Sequence, residues 1–305
     1  MNTAPTTWPT DHVEFILVCH EGDSFAFYRA PVDAGVQELL DEMLQKTLSA
    51  FNATETPDYE LAERYDTKAP LKASLQRSEL EFLKKIADFD PGAIDSSAIE
   101  SFHKIAFYLV RFVDFDGNRL VAARRASYFK AMLKQRSRLI RFVDDTLTAV
   151  GDQIFKLDWD FDFVMTATDV YILRPGNFEI IAGVDDAIAE KIPEKAQDLQ
   201  QRMSFINFAP IADLAATRKR IARLLSSVAS RTDLESIDKN LLLAQATKTG
   251  VELEFLNGRY TPTATSIRGL LEILDRRRYH ISLRTESHEA FVASSRQALG
   301  PSVKE

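Results

Sequence analysis

The sequence predicts an α+β fold with mostly antiparallel sheets and hairpins, and with amphipathic helices concentrated in its C-terminal half. Three observations predict it. Short apolar runs flank turn sequences at Glu21-Gly22-Asp23, Asp116-Gly117-Asn118 and Asn257-Gly258, which is the pattern of hairpins. Apolar residues recur at helical spacing over 35–51, 75–88 and 212–229. No internal repeat or low-complexity segment breaks the pattern.

In chain order, residues 12–18 (HVEFILV) and 24–29 (SFAFYR) read as two strands. Residues 35–51 place Val36, Leu39, Leu40, Met43, Leu44 and Leu48 along a helix. A second helix is expected over 75–88, closed by Asp90-Pro91-Gly92. IAFYLVRFVDFDGNRLVAARR reads as a hairpin, because Gly117 and Asn118 tolerate positive φ. Residues 137–143 read as extended, and Asp144-Asp145 turns the chain into LTAV. Strands are expected at 159–165 and 169–174, then a turn at 174–177, then FEII as a further strand. From about residue 184 the pattern becomes helical. One helix over 212–229 would turn Leu214, Ile221, Leu224, Leu225 and Val228 to its apolar side. Another over 233–248 would take Thr232 or Asp233 as its N-cap. A hairpin at Asn257-Gly258, a helix over 265–275 and a last hairpin (RYHISL, EAFVAS) complete the chain. Two domains are expected: an acidic α+β domain, 1–128, and a C-terminal α+β domain, 129–305.

The 305 residues include 20 Phe, enough apolar area for a sizeable core. One cysteine, Cys19, excludes an internal disulfide framework and a cysteine zinc cluster. It lies in FILVC and reads as a buried thiol. No apolar run reaches the roughly 18 residues of a membrane span, and MNTAPTTWPT lacks the pattern of a signal peptide, so a cytoplasmic protein is expected. The net charge of −7 conceals an uneven distribution: residues 1–110 carry −10 and residues 111–141 carry +7. An acidic chain of this kind can still meet a polyanion through its local field.

The basic stretch RRASYFKAMLKQRSRLIR supplies the candidate nucleic-acid-binding residues: Arg124, Arg125, Lys130, Lys134, Arg136, Arg138 and Arg141, with no acid among them. Tyr128 and Phe129 could stack on unpaired bases or could belong to the core. The charges bind phosphate or merely solvate a face. Lesser patches, Arg218/Lys219/Arg220/Arg223 and Arg276/Arg277/Arg278, read first as a solvated helix back and as cations at a helix C-terminus.

KLDWDFDFVM raises a second question. On a strand, Asp158, Asp160 and Asp162 would line one face, and Trp159, Phe161 and Phe163 the other. The carboxylates then form a wet face or hold a hard cation. A calcium loop starting at Asp158 fails, because its sixth and twelfth positions are Phe163 and Asp169. A metal-dependent nuclease using these three residues is the strongest enzyme alternative. No phosphate loop, dinucleotide turn, nucleophile elbow or HExxH helix occurs, and the five histidines suggest no complete metal site. No catalytic residue, metal site or cofactor is therefore assigned.

The run from Leu157 through Ile181 resembles the KwaB family of the Kiwa anti-phage defence system. SRLIRFVDDTLTAV and LLEILDRRRYHISLRTESHEAFVAS are similar to the family pattern as well, so the resemblance covers roughly residues 125–295. It implies core positions for Phe161 and Phe163, with Tyr171 and Phe178 beside them. It also implies a DNA-binding defence effector, more a binder than an enzyme. Such a protein is recruited to the inner membrane by a KwaA-like integral membrane partner. A homo-oligomer is expected too. The resemblance carries no catalytic residues to this chain.

Overall fold

The computed structural model describes residues 5, 7–22, 24–52, 56–62, 70–88, 104–127, 140–143, 146–149, 155–284 and 287–293. The chain forms two compact units, Met1–Asp58 with Lys68–Ala182, and Tyr59–Thr67 with Gly183–Glu305. The boundary expected at residue 128 falls inside the first unit, where strands on either side of it pair with each other.

The first unit contains β1 (His12–Glu21), β2 (Ser24–Ala30), β3 (Leu71–Ser74), β4 (Ile105–Val113), β5 (Arg119–Arg125), β6 (Ile140–Val143), β7 (Thr146–Ala149), β8 (Phe163–Met165) and β9 (Asp169–Ile172). Seven of them form one sheet, in the order β2-β1-β4-β5-β8-β9-β3, and every pairing is antiparallel. β6 and β7 form a separate antiparallel hairpin. Helices α1 (Ala34–Asn52), α2 (Glu81–Asp88) and α3 (Pro175–Ala182) cover the sheet. Strand alternation sends Tyr108, Val110, Phe112, Leu120 and Ala122 to one face, where they pack with Leu40, Met43, Leu44, Leu48 and Phe51 of α1. On the other face Phe163 meets Phe178 of α3 edge-on, with ring centroids 5.3 Å apart. There the buried Arg111 reaches the Ile86 carbonyl of α2. Fully burying each such apolar side chain contributes roughly 1.5–3 kcal/mol.

In the second unit α4 (Val184–Glu190), α5 (Ile192–Arg202), α6 (Ala209–Thr217), α7 (Lys219–Ala229), α8 (Lys239–Lys248) and α9 (Ile267–Leu274) accompany hairpins β10 (Leu253–Leu256)/β11 (Arg259–Pro262) and β12 (Arg278–Arg284)/β13 (Ser287–Val292). α7 lies at the centre, with Ile221, Leu224, Leu225 and Val228 buried and α4, α5, α6 and α9 packed around it. The turn between β10 and β11 has φ of 52° at Asn257 and 81° at Gly258, as a tight hairpin turn with two left-handed residues requires.

The α+β class and its antiparallel sheets stand as expected, with helices in both halves and seven of the nine described after residue 150. Four local expectations change. FEII belongs to α3, because Pro175 opens a helix and the Phe178 N–H bonds the Arg174 carbonyl at 2.9 Å. A short apolar run cannot by itself distinguish strand from helix. The strand expected over 159–165 is confined to Phe163–Met165. The helix expected over 212–229 breaks at the extended Arg218, after the Thr217 hydroxyl bonds the Leu214 carbonyl. The N-cap of α8 is Asp238, whose carboxylate accepts the Asn240 and Leu241 N–H groups. β3 was not anticipated. Among the described residues no helix is long and apolar enough to cross a membrane.

Candidate nucleic-acid interface

β5 carries the head of the basic stretch. Alternation sends Arg124 to the α1 side of the sheet, opposite Tyr108 of β4, and Arg125 to the other side, opposite Phe107. The side chain of Arg124 is 13% exposed, and its guanidinium meets three carboxylates. Its Nε donates to Asp158 at 3.2 Å, and its Nη1 donates to Asp162 at 2.9 Å and Asp160 at 3.4 Å. Arg174, just before α3, donates through Nη2 to both oxygens of Asp160 at 2.7 Å. Its Nη1 bonds the Phe161 carbonyl at 3.0 Å. Lys156 and Ser127 each donate to Asp158 at 2.9 Å.

Asp162 ties the cluster to the fold. It is wholly buried. Its carboxylate accepts the Arg125 backbone N–H at 2.8 Å and the Asn177 amide at 3.0 Å, besides Arg124. Its own N–H donates to the Ala123 carbonyl, and its carbonyl accepts the N–H groups of Leu173 and Arg174. One residue thus joins the end of β5, the end of β9 and the approach to α3. A buried carboxylate is tolerable only when its lone pairs are satisfied in this way.

The six ionic groups balance: Arg124, Lys156 and Arg174 against Asp158, Asp160 and Asp162. Burial raises the Asp158 carboxyl, but hydrogen bonds from Lys156 and Ser127 and the Arg124 charge outweigh it, leaving it below its ordinary value. Burial would lower Arg174, but Asp160 and Asp162 outweigh that and raise it. Burial, with the Asp158 charge, pushes the Tyr108 hydroxyl well above the usual phenol range.

These residues do not fit a metal ion. A hard cation needs carboxylate oxygens that converge with free lone pairs. Here each carboxylate already faces a guanidinium or an ammonium. Among the described residues no group of three or more His, Cys, Asp or Glu could hold a metal. The open face imagined for the three aspartates is also revised. Residues 155–162 are irregular, the carboxylates are turned to cations, and Trp159 stands in solvent while Phe161 and Phe163 are buried. Phe161, Phe163, Tyr171 and Phe178 are buried as the resemblance implied.

Arg125 differs from its neighbour. Its side chain is exposed and makes no ion pair with another described residue. Lys130, Lys134, Arg136 and Arg138, with Tyr128 and Phe129, lie outside the described residues. The backbone of Arg141 pairs with Thr148 in the β6–β7 hairpin, and its side chain is outside the description. In the second unit, Lys219 and Arg223 hold Asp185, while Arg218 is exposed. Arg277 is buried on Asp275, Arg278 bonds Glu272, and Arg276 bonds Asp233. Sequence reasoning missed Lys156, Arg174 and Asn177 as partners of the aspartates. The available signal was a cation-and-amide pair, Arg174 and Asn177, one turn apart around Pro175.

The family described as Kiwa protein KwaB-like matches residues 102–283, from just before β4 into β12. No curated protein and no solved structure matches the chain. A family match over more than half of the sequence, containing both Arg124-Arg125 and the aspartate cluster, identifies the chain as a member of the KwaB-like family of Kiwa proteins.

Proposed function

We propose that this protein is a DNA-binding component of Kiwa anti-phage defence, acting beside a KwaA-like integral membrane protein that recruits it to the inner membrane. Family membership supports the defence role. The observation that carries DNA binding is Arg125, a solvent-exposed guanidinium without an ion pair among the described residues, at the head of an acid-free basic stretch. Its backbone is fixed by the Asp162 carboxylate, so the stretch leaves the sheet from a rigid point. Duplex DNA without sequence preference is the proposed ligand, and a homo-oligomer is part of the same reading.

The cluster sharpens the expected salt dependence. Of the seven candidate cations, Arg124 is committed to three carboxylates. Six phosphate contacts give a slope of log affinity against log salt near −5 at most, at about 0.9 per contact on a duplex. Fluorescence anisotropy with a labelled duplex, across a salt series in EDTA, measures it. Charge reversal at Arg125, Lys130, Arg136 and Arg138 should abolish binding while the fold and partner association persist. If wild-type protein shows no binding at low salt, a scaffold that never touches DNA becomes the better reading.

A further inference from the structure

Trp159 is 78% exposed, more than any other large apolar side chain among the described residues. Its position is not loose. On one side Asp158 receives Lys156, Arg124 and Ser127. On the other, Asp160 is gripped by Arg174, and Phe161 is buried with its N–H on the Thr47 hydroxyl at 2.9 Å. The ring is therefore presented to solvent by a braced segment. The Lys46 ammonium of α1 lies 5.4 Å from the ring centroid, against one of its faces.

The flanking aspartates do not create a wall against an anion, because their three charges are matched by Arg124, Lys156 and Arg174. With Lys46 these seven groups carry a balance of +1. An aromatic face with a neighbouring ammonium matches a nucleotide: the base stacks and the phosphate meets the cation. A paired base inside a duplex offers no free face.

We infer that Trp159 and Lys46 form a stacking platform for an unpaired base of single-stranded DNA, which takes the ring face that Lys46 leaves open. This rests on the DNA-binding reading and names a second form of the ligand. It accounts for a braced tryptophan that the ion cluster itself does not use.

The test follows intrinsic fluorescence of the full chain during titration with a thymidine oligonucleotide of about 20 nucleotides. Anisotropy with a labelled duplex of the same length runs in parallel. A Trp8→Phe variant assigns the signal, since Trp8 is the other tryptophan. The expected result is quenching of Trp159. Trp159→Ala should weaken single-strand binding about tenfold, within the range of one base–aromatic stack, and leave duplex affinity unchanged. Trp159→Phe should retain part of the gain. Equal single-strand affinity in wild type and Trp159→Ala, or binding without quenching, overturns the platform and leaves duplex binding intact. Failure of both DNAs to bind overturns the platform and the reading beneath it.

Discussion

Arg124-Arg125 at the end of β5 and Arg276-Arg277-Arg278 after α9 look alike in the sequence, and the fold uses them differently. Two arginines of the second run are absorbed locally, and Arg276 is taken by Asp233, 43 residues back. Glu272, itself on α9, takes Arg268 one turn earlier and Arg278 six residues later, and Asp275 takes Arg277 two residues away. These acids and bases lie within eleven positions. The first run is split. Arg124 is taken by carboxylates 34 to 38 residues away, while Arg125 is left in solvent. A run of arginines is therefore not yet a binding surface. What decides is whether the fold returns an acid to each guanidinium, and that depends on distant segments.

Removing the hub of the distant network should cost most. Asp162→Ala strips a wholly buried carboxylate from Arg124, Asn177 and the Arg125 N–H, and should destabilise the protein by about 3–5 kcal/mol in urea unfolding. A loss under about 1 kcal/mol would mean the network only decorates the fold. The neighbouring arginines should separate next. Arg124→Ala should cost roughly 2–3 kcal/mol, whereas Arg125→Ala should stay within about 0.5 kcal/mol. Equal effects would erase the contrast. In the local network, Glu272→Ala should cost roughly 2 kcal/mol, since Arg278 keeps its bond to the Thr249 carbonyl. A cost above that of Asp162→Ala would reverse the ranking of the two networks.

Acid acts on both units by smaller steps. The Arg231 hydrogen bond and the Arg231 and Arg276 charges bring Asp233 down from 3.8 to about 2. Asp158 and Asp185 are also lowered; in each, burial opposes the shift and hydrogen bonds from cations prevail. Carboxyls with depressed folded values contribute stability that is fully present above the unfolded value, 3.8, and is lost as pH falls through the folded values. Thermal denaturation should therefore show a falling midpoint mainly below pH 4, approaching pH 2 for Asp233. A midpoint flat between pH 5 and pH 2 would contradict the assignment.

Much of the sheet was legible because hairpins announce themselves locally. Asp116-Gly117-Asn118 and Asn257-Gly258 each sit between the strands they join, and α1 shows its buried stripe in the spacing of Leu40, Met43, Leu44 and Leu48. The site was less legible. Asp158, Asp160 and Asp162 drew attention by their alternation, but the alternation suggested a strand that the chain does not form there. Their partners come from β5, from Lys156 and from the approach to α3, and no spacing rule connects Arg124 to Asp162. The same rule put Trp159 on one face with Phe161 and Phe163, although its neighbours are fixed by side-chain bonds and not by a strand ladder, and it stands in solvent. β3 is four residues long and lacked a turn signal beside a partner, since its partner β9 lies far along the chain.

That last pairing has a consequence for how the protein is made. Leu71 pairs with Ile172, and Ser74 with Asp169. On a ribosome adding about 5–20 residues per second, β3 waits on the order of 5–20 seconds before its partner exists. The β1–β2 and β4–β5 hairpins can close as soon as they emerge, so the sheet is expected to grow from that end. Through the wait, residues 71–74 carry an unsatisfied strand edge, and the first unit is finished only when about three fifths of the chain has been synthesised.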